Sequence, residues 1–132
     1  MVVSNGSLAM EVFEQNALLG NPQFACGLSA VNFAAVAEAC GIRGYRLEDP
    51  AKAPKVLADA LSHDGPCVVD AVVTAHESPM ADTFKPAQAK KMITAFERGE
   101  AARHAIARGL LDPGVVAMSP AIQAVRDDLA RF

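Results

Sequence analysis

The run Val2-Val3-Ser4-Asn5-Gly6-Ser7-Leu8 is the one local constellation in this sequence with chemical promise. Two β-branched residues run into Asn-Gly, and helix-forming residues follow. A strand, turn and helix in that order put Asn5 at the C-terminal end of a strand, where ligands gather in α/β sheets. An amide oxygen and neighbouring backbone carbonyls are hard donors of the kind Mg²⁺ takes, with phosphate oxygens commonly completing its shell. Taken alone, Ser-Asn-Gly-Ser is also an ordinary turn, so context must decide. Other constellations are weaker. His63, His76 and His104 share no ligand spacing with Cys26, Cys40 and Cys67, which argues against a zinc site. Three widely spaced cysteines without a C-x-x-C pair read as reduced thiols in a cytoplasmic protein. No glycine-rich phosphate loop of the G-x-G-x-x-G or P-loop type occurs, which weakens an unrelated nucleotide-binding reading.

Composition narrows the class. The 132 residues amount to one domain, 52% apolar and 20% charged, a globular composition and not a disordered one. A net charge of −3, no Trp and a single Tyr argue against a nucleic-acid partner, which would call for a basic surface. No apolar run approaches the roughly 20 residues needed to span a bilayer, and the N-terminus lacks the pattern of a signal peptide.

The elements that must position Asn5 follow from periodicity and punctuation. Val2-Val3 reads as the end of a buried strand, Leu8–Gln15 as a short helix, and Gly20-Asn21-Pro22 as its break. A loop then runs to about Ala30. Asn32 is an N-cap for a helix on which Phe33, Val36, Ala37 and Cys40 recur at helical spacing, and Gly41 stands at the left-handed C′ position. Tyr45–Leu47 is a short strand. Glu48-Asp49-Pro50 turns into a helix with Val56, Leu57, Ala60 and Leu61, with Pro54 confined to its first turn. Cys67–Val73 is nearly continuously apolar, as a strand buried on both faces of a parallel sheet would be. Strands alternating with helices give an α/β fold. Beyond Thr74 the pattern turns to a polar loop over Ala75–Lys85, a helix from Pro86 to Gly99, a second over Glu100–Arg108 and a turn at Leu111–Gly114. A last helix is started by Ser119-Pro120, with Ile122, Val125, Leu129 and Phe132 on one face.

In that order and spacing, the chain resembles the thiamine-diphosphate-dependent enzymes. Val2–Leu8 resembles the segment that closes their diphosphate motif, which opens upstream with Gly-Asp-Gly. Asn32–Glu48 resembles the helix and strand that follow, and Asp64–Val73 the last strand of the cofactor-binding domain. The loop to Met80 and Pro86–Lys90 are similar to the tail of the pyruvate oxidase and pyruvate:quinone oxidoreductase branch; acetolactate synthases share the general pattern. The likeness covers roughly residues 2–110. It implies the C-terminal portion of a thiamine-diphosphate-binding fold over residues 1–80, a parallel sheet flanked by helices, and a helical C-terminal extension over 81–132.

The resemblance also implies roles. Asn5 matches the asparagine whose side chain binds Mg²⁺, and Ser7 the residue that offers it a backbone carbonyl. Leu8 and Met10 lie in the short helix beside the thiazolium and substrate pocket, and Glu14 matches a glutamate facing the reacting centre. Ser4 replaces the first asparagine of the family's pair, and Met10 an aromatic residue typical of the oxidase branch. The implied cofactors are thiamine diphosphate and Mg²⁺, with FAD in full-length relatives of the oxidase branch, and the implied substrate is a 2-oxo acid such as pyruvate. Gly-Asp-Gly does not occur in these 132 residues. The chain is therefore expected to be a fragment, a truncated product or one piece of a split enzyme, not competent alone. A homo-oligomer or a separate N-terminal half is its expected partner. The alternative is a non-catalytic α/β association module. Arg98, Arg103, His104 and Arg108 beside Met92, Ile93, Phe96, Ile106, Leu110 and Leu111 would suit a membrane surface, although Glu97, Glu100 and Asp112 dilute the charge and packing within the protein is the preferred reading.

Overall fold

The computed structural model describes residues 1–77 and 84–132, and for Met118 its backbone. They divide into two compact units. One comprises Met1–Gly6 and Leu28–Thr74; the other comprises Ser7–Gly27 and Ala75–Phe132.

The first unit is α/β, as expected. Strands β1 (Val2–Ser4), β2 (Arg43–Leu47) and β3 (Cys67–Val72) form a parallel sheet in the order β1-β3-β2. The near-continuous apolar run of β3 takes the central place, pairing Val2 with Asp70 and Tyr45 with Val69. Parallel neighbours need crossovers, and these are helical. Helix α2 (Phe33–Ala39) leads into β2, and a 3₁₀ turn (Pro50–Lys52) runs into α3 (Ala53–Leu61) ahead of β3. The start and stop signals behave as read. The Asn32 side chain accepts the Ala35 N–H, Asp49 accepts from Ala51, Pro54 falls in the first turn of α3, and Gly41 is left-handed with φ +77°. Replacing Asn32 with alanine orphans one helix N–H and is expected to cost about 1 kcal/mol, read as a lower urea midpoint.

Two details differ from the periodicity. Strand β2 begins at Arg43 instead of Tyr45, because Arg43 and Gly44 pair with Cys67 and Val68. On α2 the buried residues are Ala34 and Ala37, while Phe33, Val36 and Cys40 are exposed. The reason is close approach. A Cβ on Gly44 would lie 2.2 Å from the Ala34 carbonyl oxygen, so α2 lies directly on the β2 backbone and small residues must face it. One charged residue is wholly buried here. Asp70, in the middle of β3, accepts the Phe33 N–H at 2.9 Å and Arg46 Nη1 at 2.6 Å, tying the start of α2 to the sheet.

The second unit is helical. Helix α1 (Ala9–Phe13) continues as a π-helix (Glu14–Leu19), longer than the expected Leu8–Gln15, and Gly20 ends it with φ +71°. Helix α4 (Pro86–Glu97) matches expectation. The next helix is α5 (Arg103–Leu110), not Glu100–Arg108. Glu100 is drawn out of helical geometry into the interior by the hydrogen bonds described below. The expected turn at Leu111–Gly114 is instead the start of α6 (Pro113–Met118), which Asp112 caps by accepting the Gly114 N–H. Asp-Pro here is the same helix-starting signal as Ser119-Pro120, where Ser119 caps α7 (Pro120–Ala124). A further turn of helix, α8 (Arg126–Leu129), follows.

The core of this unit joins Phe13 and Ala17 to Phe84, Met92, Ile93, Phe96, Ile106, Leu110, Ile122, Val125 and Leu129. Two edge-to-face ring pairs, Phe13–Phe84 and Phe96–Phe132, contribute to it. Of the face expected of one last helix, Ile122, Val125 and Leu129 are buried and Phe132 is half-buried, and the helix itself is broken at Val125 into α7 and α8. The apolar side of the basic stretch is buried in the same core, apart from the half-buried Leu111. Much of its basic side is also engaged: Arg98 donates to the Gly20 carbonyl, Arg103 to the Glu100 carbonyl, and His104 bonds the Phe132 carbonyl oxygen. No helix among the described residues is long and apolar enough to cross a membrane. Pro79 and Met80, within the expected polar loop, lie outside the described residues.

Candidate functional site

Parallel pairing brings the C-terminal ends of β1 and β3 side by side, with Ser4 opposite Val72. A cleft of about 570 Å³ opens there, lined by Ser4, Asn5, Val31, Phe33, Arg46 and Val73 among others. Its size is that of a small-molecule site and its walls are mainly apolar with few polar groups, the usual make-up of such sites. Asn5 is half-buried in it, at the strand end where the sequence placed it. The backbone around Asn5 is pinned on both sides. The Ser4 carbonyl accepts the Val73 N–H at 3.0 Å, and the Gly6 carbonyl accepts the Leu28 N–H at 2.9 Å.

Electrostatically the cleft holds one guanidinium and no carboxylate among its lining residues. Arg46 pairs with Glu48 at 2.9 Å and with Asp70 at 2.6 Å, and these hydrogen bonds raise it further above its ordinary value. Sequence reasoning passed over Arg46 and Asp70. The available signal was an Asp inside an apolar strand, since a buried charge must find a partner.

The remaining candidates belong to the second unit, by sequence and by packing. The Ser7 hydroxyl donates to the Cys26 carbonyl at 3.3 Å, and Ser7 pairs antiparallel with Gly27. Leu8, at the N-cap of α1, is 40% exposed and Met10 is 44% exposed. Glu14 is exposed as the first residue of the π-helix, four residues beyond Met10 on the same helical face, whereas Val12 and Phe13 are buried. The structure thus separates the segment into an inner face and an outer one, and Leu8, Met10 and Glu14 are on the outer one. The three cysteines are free thiols, Cys26 buried and Cys40 exposed.

A divalent metal at this strand end would meet few donors. Asn5 supplies one neutral amide oxygen, while the Ser4 and Gly6 carbonyls each already accept a backbone hydrogen bond. Among the described residues no group of three or more His, Cys, Asp or Glu side chains could hold a metal ion. Mg²⁺ asks for octahedral oxygen ligands, usually with one or two carboxylates and phosphate oxygens. These residues fill part of such a shell and do not hold the ion by themselves.

A parallel α/β sheet with a cleft of ligand size and a polar residue at its strand ends is the arrangement in which α/β sheets bind ligands. Residues 1–71 match the family model of the thiamine pyrophosphate enzyme C-terminal TPP binding domain, and the chain belongs to that family. It is also 32% identical over 90 residues to YdaP of Bacillus subtilis (strain 168), which carries the provisional name of a thiamine pyrophosphate-containing protein. That alignment covers 68% of this chain and 15% of YdaP, so the chain spans a small part of its relative's length. No solved structure gives a significant match.

Proposed function

We propose that this chain supplies the C-terminal share of a thiamine diphosphate site in an enzyme that decarboxylates a pyruvate-type 2-oxo acid, and that it is not competent alone. The observation that carries this reading is Asn5 at the ends of the parallel strands, in a cleft of ligand size, inside the family-matched stretch. Asn5 is the side-chain ligand to Mg²⁺ and Ser7 offers its carbonyl. Leu8 and Met10 stand beside the thiazolium, and Glu14 faces the reacting centre. Thiamine diphosphate, when bound, supplies the electron sink for CO₂ loss. This chain's residues anchor its metal and shape one wall. The carboxylate that the cleft lacks comes from another segment, on this polypeptide or a partner. A pyruvate oxidase-like or acetolactate synthase-like enzyme and a cytoplasmic location complete the reading.

The test uses two proteins. Calorimetric titration of thiamine diphosphate with Mg²⁺ into the 132-residue chain is expected to give no saturable heat. A chimera in which the matching 90 residues replace those of YdaP is expected to bind saturably, and Asn5→Ala in it to weaken binding by about tenfold or more. Saturable binding by the isolated chain would refute its incompetence. A folded chimera whose affinity ignores Asn5→Ala would refute the metal role.

A second reading, an association module, is favoured by apolar exposure on the first unit, with Val3 at 66%, Val36 at 51% and Leu61 at 88%. Of these, Val3 lies on the edge strand β1, and an exposed edge strand can pair with another chain. Sedimentation that gives a monomer across the micromolar range would count against it.

A further inference from the structure

We propose that Glu100 and Gln15 are positioning residues that fix the start of the segment Leu8–Glu14. The inference rests on the reading above, which sets that segment against cofactor and substrate. Glu100 lies between α4 and α5 and is fully buried. Its Oε2 accepts Asn16 Nδ2 at 3.0 Å and the Gln23 N–H at 2.7 Å; its Oε1 accepts Gln23 Nε2 at 3.1 Å and the Ala102 N–H at 3.0 Å. All four bonds come from neutral amides, three of them from Asn16 and Gln23, in the stretch Ser7–Gly27 that includes Leu8–Glu14.

Gln15 continues the path. Its Oε1 accepts the Phe24 N–H at 2.6 Å, and its Nε2 donates to the Phe24 carbonyl at 3.2 Å and to Cys26 Sγ at 3.4 Å. The Cys26 carbonyl in turn accepts the Leu8 N–H at 2.9 Å and the Ser7 hydroxyl at 3.3 Å. Hydrogen bonds and short backbone steps thus connect a buried carboxylate to the first residue of the proposed cofactor wall.

A buried carboxylate is a costly way to fill a core. Well-packed apolar residues often stabilise as well or better, and polar groups in such places can specify one arrangement over its neighbours. Here the arrangement specified is unusual. The loop held by Gln15 and Glu100 includes Ala25 in the left-handed region at φ +57°, and the helix it follows is a π-helix. Both conformations persist only when the surroundings over-determine them. The network sets where the loop, and through Cys26 the residue Leu8, must lie.

Amide hydrogen exchange on the full chain reads this directly. In Gln15→Ala the Phe24 and Leu8 amides are expected to exchange about tenfold faster, the loss of one net hydrogen bond. The Gln23 amide, held by Glu100, and the Cys40 amide, which caps the end of α2, keep their protection. Gln15→Glu keeps the acceptor for the Phe24 N–H but loses the donor to the Phe24 carbonyl, and restores part of the protection there. Glu100→Gln releases Gln23, Phe24 and Leu8 together and leaves Cys40 unchanged. Unchanged exchange at Leu8 in both Gln15→Ala and Glu100→Gln overturns the proposal, as does equal acceleration of every amide in Gln15→Ala. Thiamine diphosphate is absent from the experiment. A chimera that binds no cofactor therefore sinks the functional reading alone, and unmoved Leu8 exchange sinks the positioning role alone.

Discussion

Glu100→Ala is expected to destabilise the second unit by about 4 kcal/mol, because it takes the acceptor from the half-buried Gln23 and Ala102 N–H groups and removes charge-assisted bonds worth about 1.5–3 kcal/mol each. Glutamine is not a conservative replacement. Each carboxylate oxygen accepts two N–H donors, so either orientation of a glutamine amide turns its own NH₂ towards two donors. Glu100→Gln should therefore lose more than half as much as Glu100→Ala in urea-unfolding experiments. A loss below about 1 kcal/mol for Glu100→Ala, the range of an exposed site, would show that the network contributes little.

The pH dependence follows from the same geometry. Burial pushes the Glu100 carboxyl up, but the N–H bonds from Ala102 and Gln23, with those from the Asn16 and Gln23 side chains, together hold it below the ordinary glutamate range. A depressed folded value means that the folded state binds the proton more weakly than the unfolded state does. The contribution is full above the ordinary glutamate value and is lost as pH falls through the lowered folded value. The stability gap between wild type and Glu100→Gln should be constant near neutrality and shrink in acid. A gap that widens in acid would reverse the assignment.

Gly44→Ala is the second large effect, and its cause is steric. The added Cβ would stand 2.2 Å from the Ala34 carbonyl oxygen and 2.8 Å from its carbonyl carbon. Both are backbone atoms of α2, so no rotamer change relieves the overlap. The helix must lift from the sheet, and lifting it strains the Asp70 bond to the Phe33 N–H. Overpacking commonly costs about 1–3 kcal/mol; a backbone collision belongs at or above the upper end, near 3 kcal/mol or more. Thermal unfolding should show a sharply lowered midpoint, and wild-type stability in Gly44→Ala would mean that α2 does not lie so close. By contrast, a Cβ on Gly41 meets nothing within 4 Å; its cost is the left-handed backbone alone.

The local elements of this protein were written in short stretches of sequence. Asn32 and Ser119 cap helices, Pro54, Pro86 and Pro120 sit in first turns, Gly41 ends α2, and the apolar run of β3 is central in a parallel sheet. Each of these depends on a residue's own backbone preference or on burial along one strand, which neighbours in sequence suffice to express. The likeness to thiamine-diphosphate enzymes was legible for the same reason, since it rests on the order of such elements, and residues 1–71 match that family. Asn5 at the strand end was legible too.

Tertiary structure decided the rest. Ser7–Gly27 packs with the C-terminal helices instead of the sheet that precedes it, because Phe13 and Ala17 enter their core and Asn16 and Gln23 bond Glu100. Those bonds span 84 and 77 positions, and no local pattern encodes them. In the sequence Glu100 was a charge on a basic helix and Asp70 a polar residue in an apolar strand. Only the fold turned one into a fourfold hydrogen-bond acceptor and the other into the anchor of α2 and Arg46. A charged side chain is read as exposed until the three-dimensional arrangement shows which donors, distant in the chain, meet it once water has been removed.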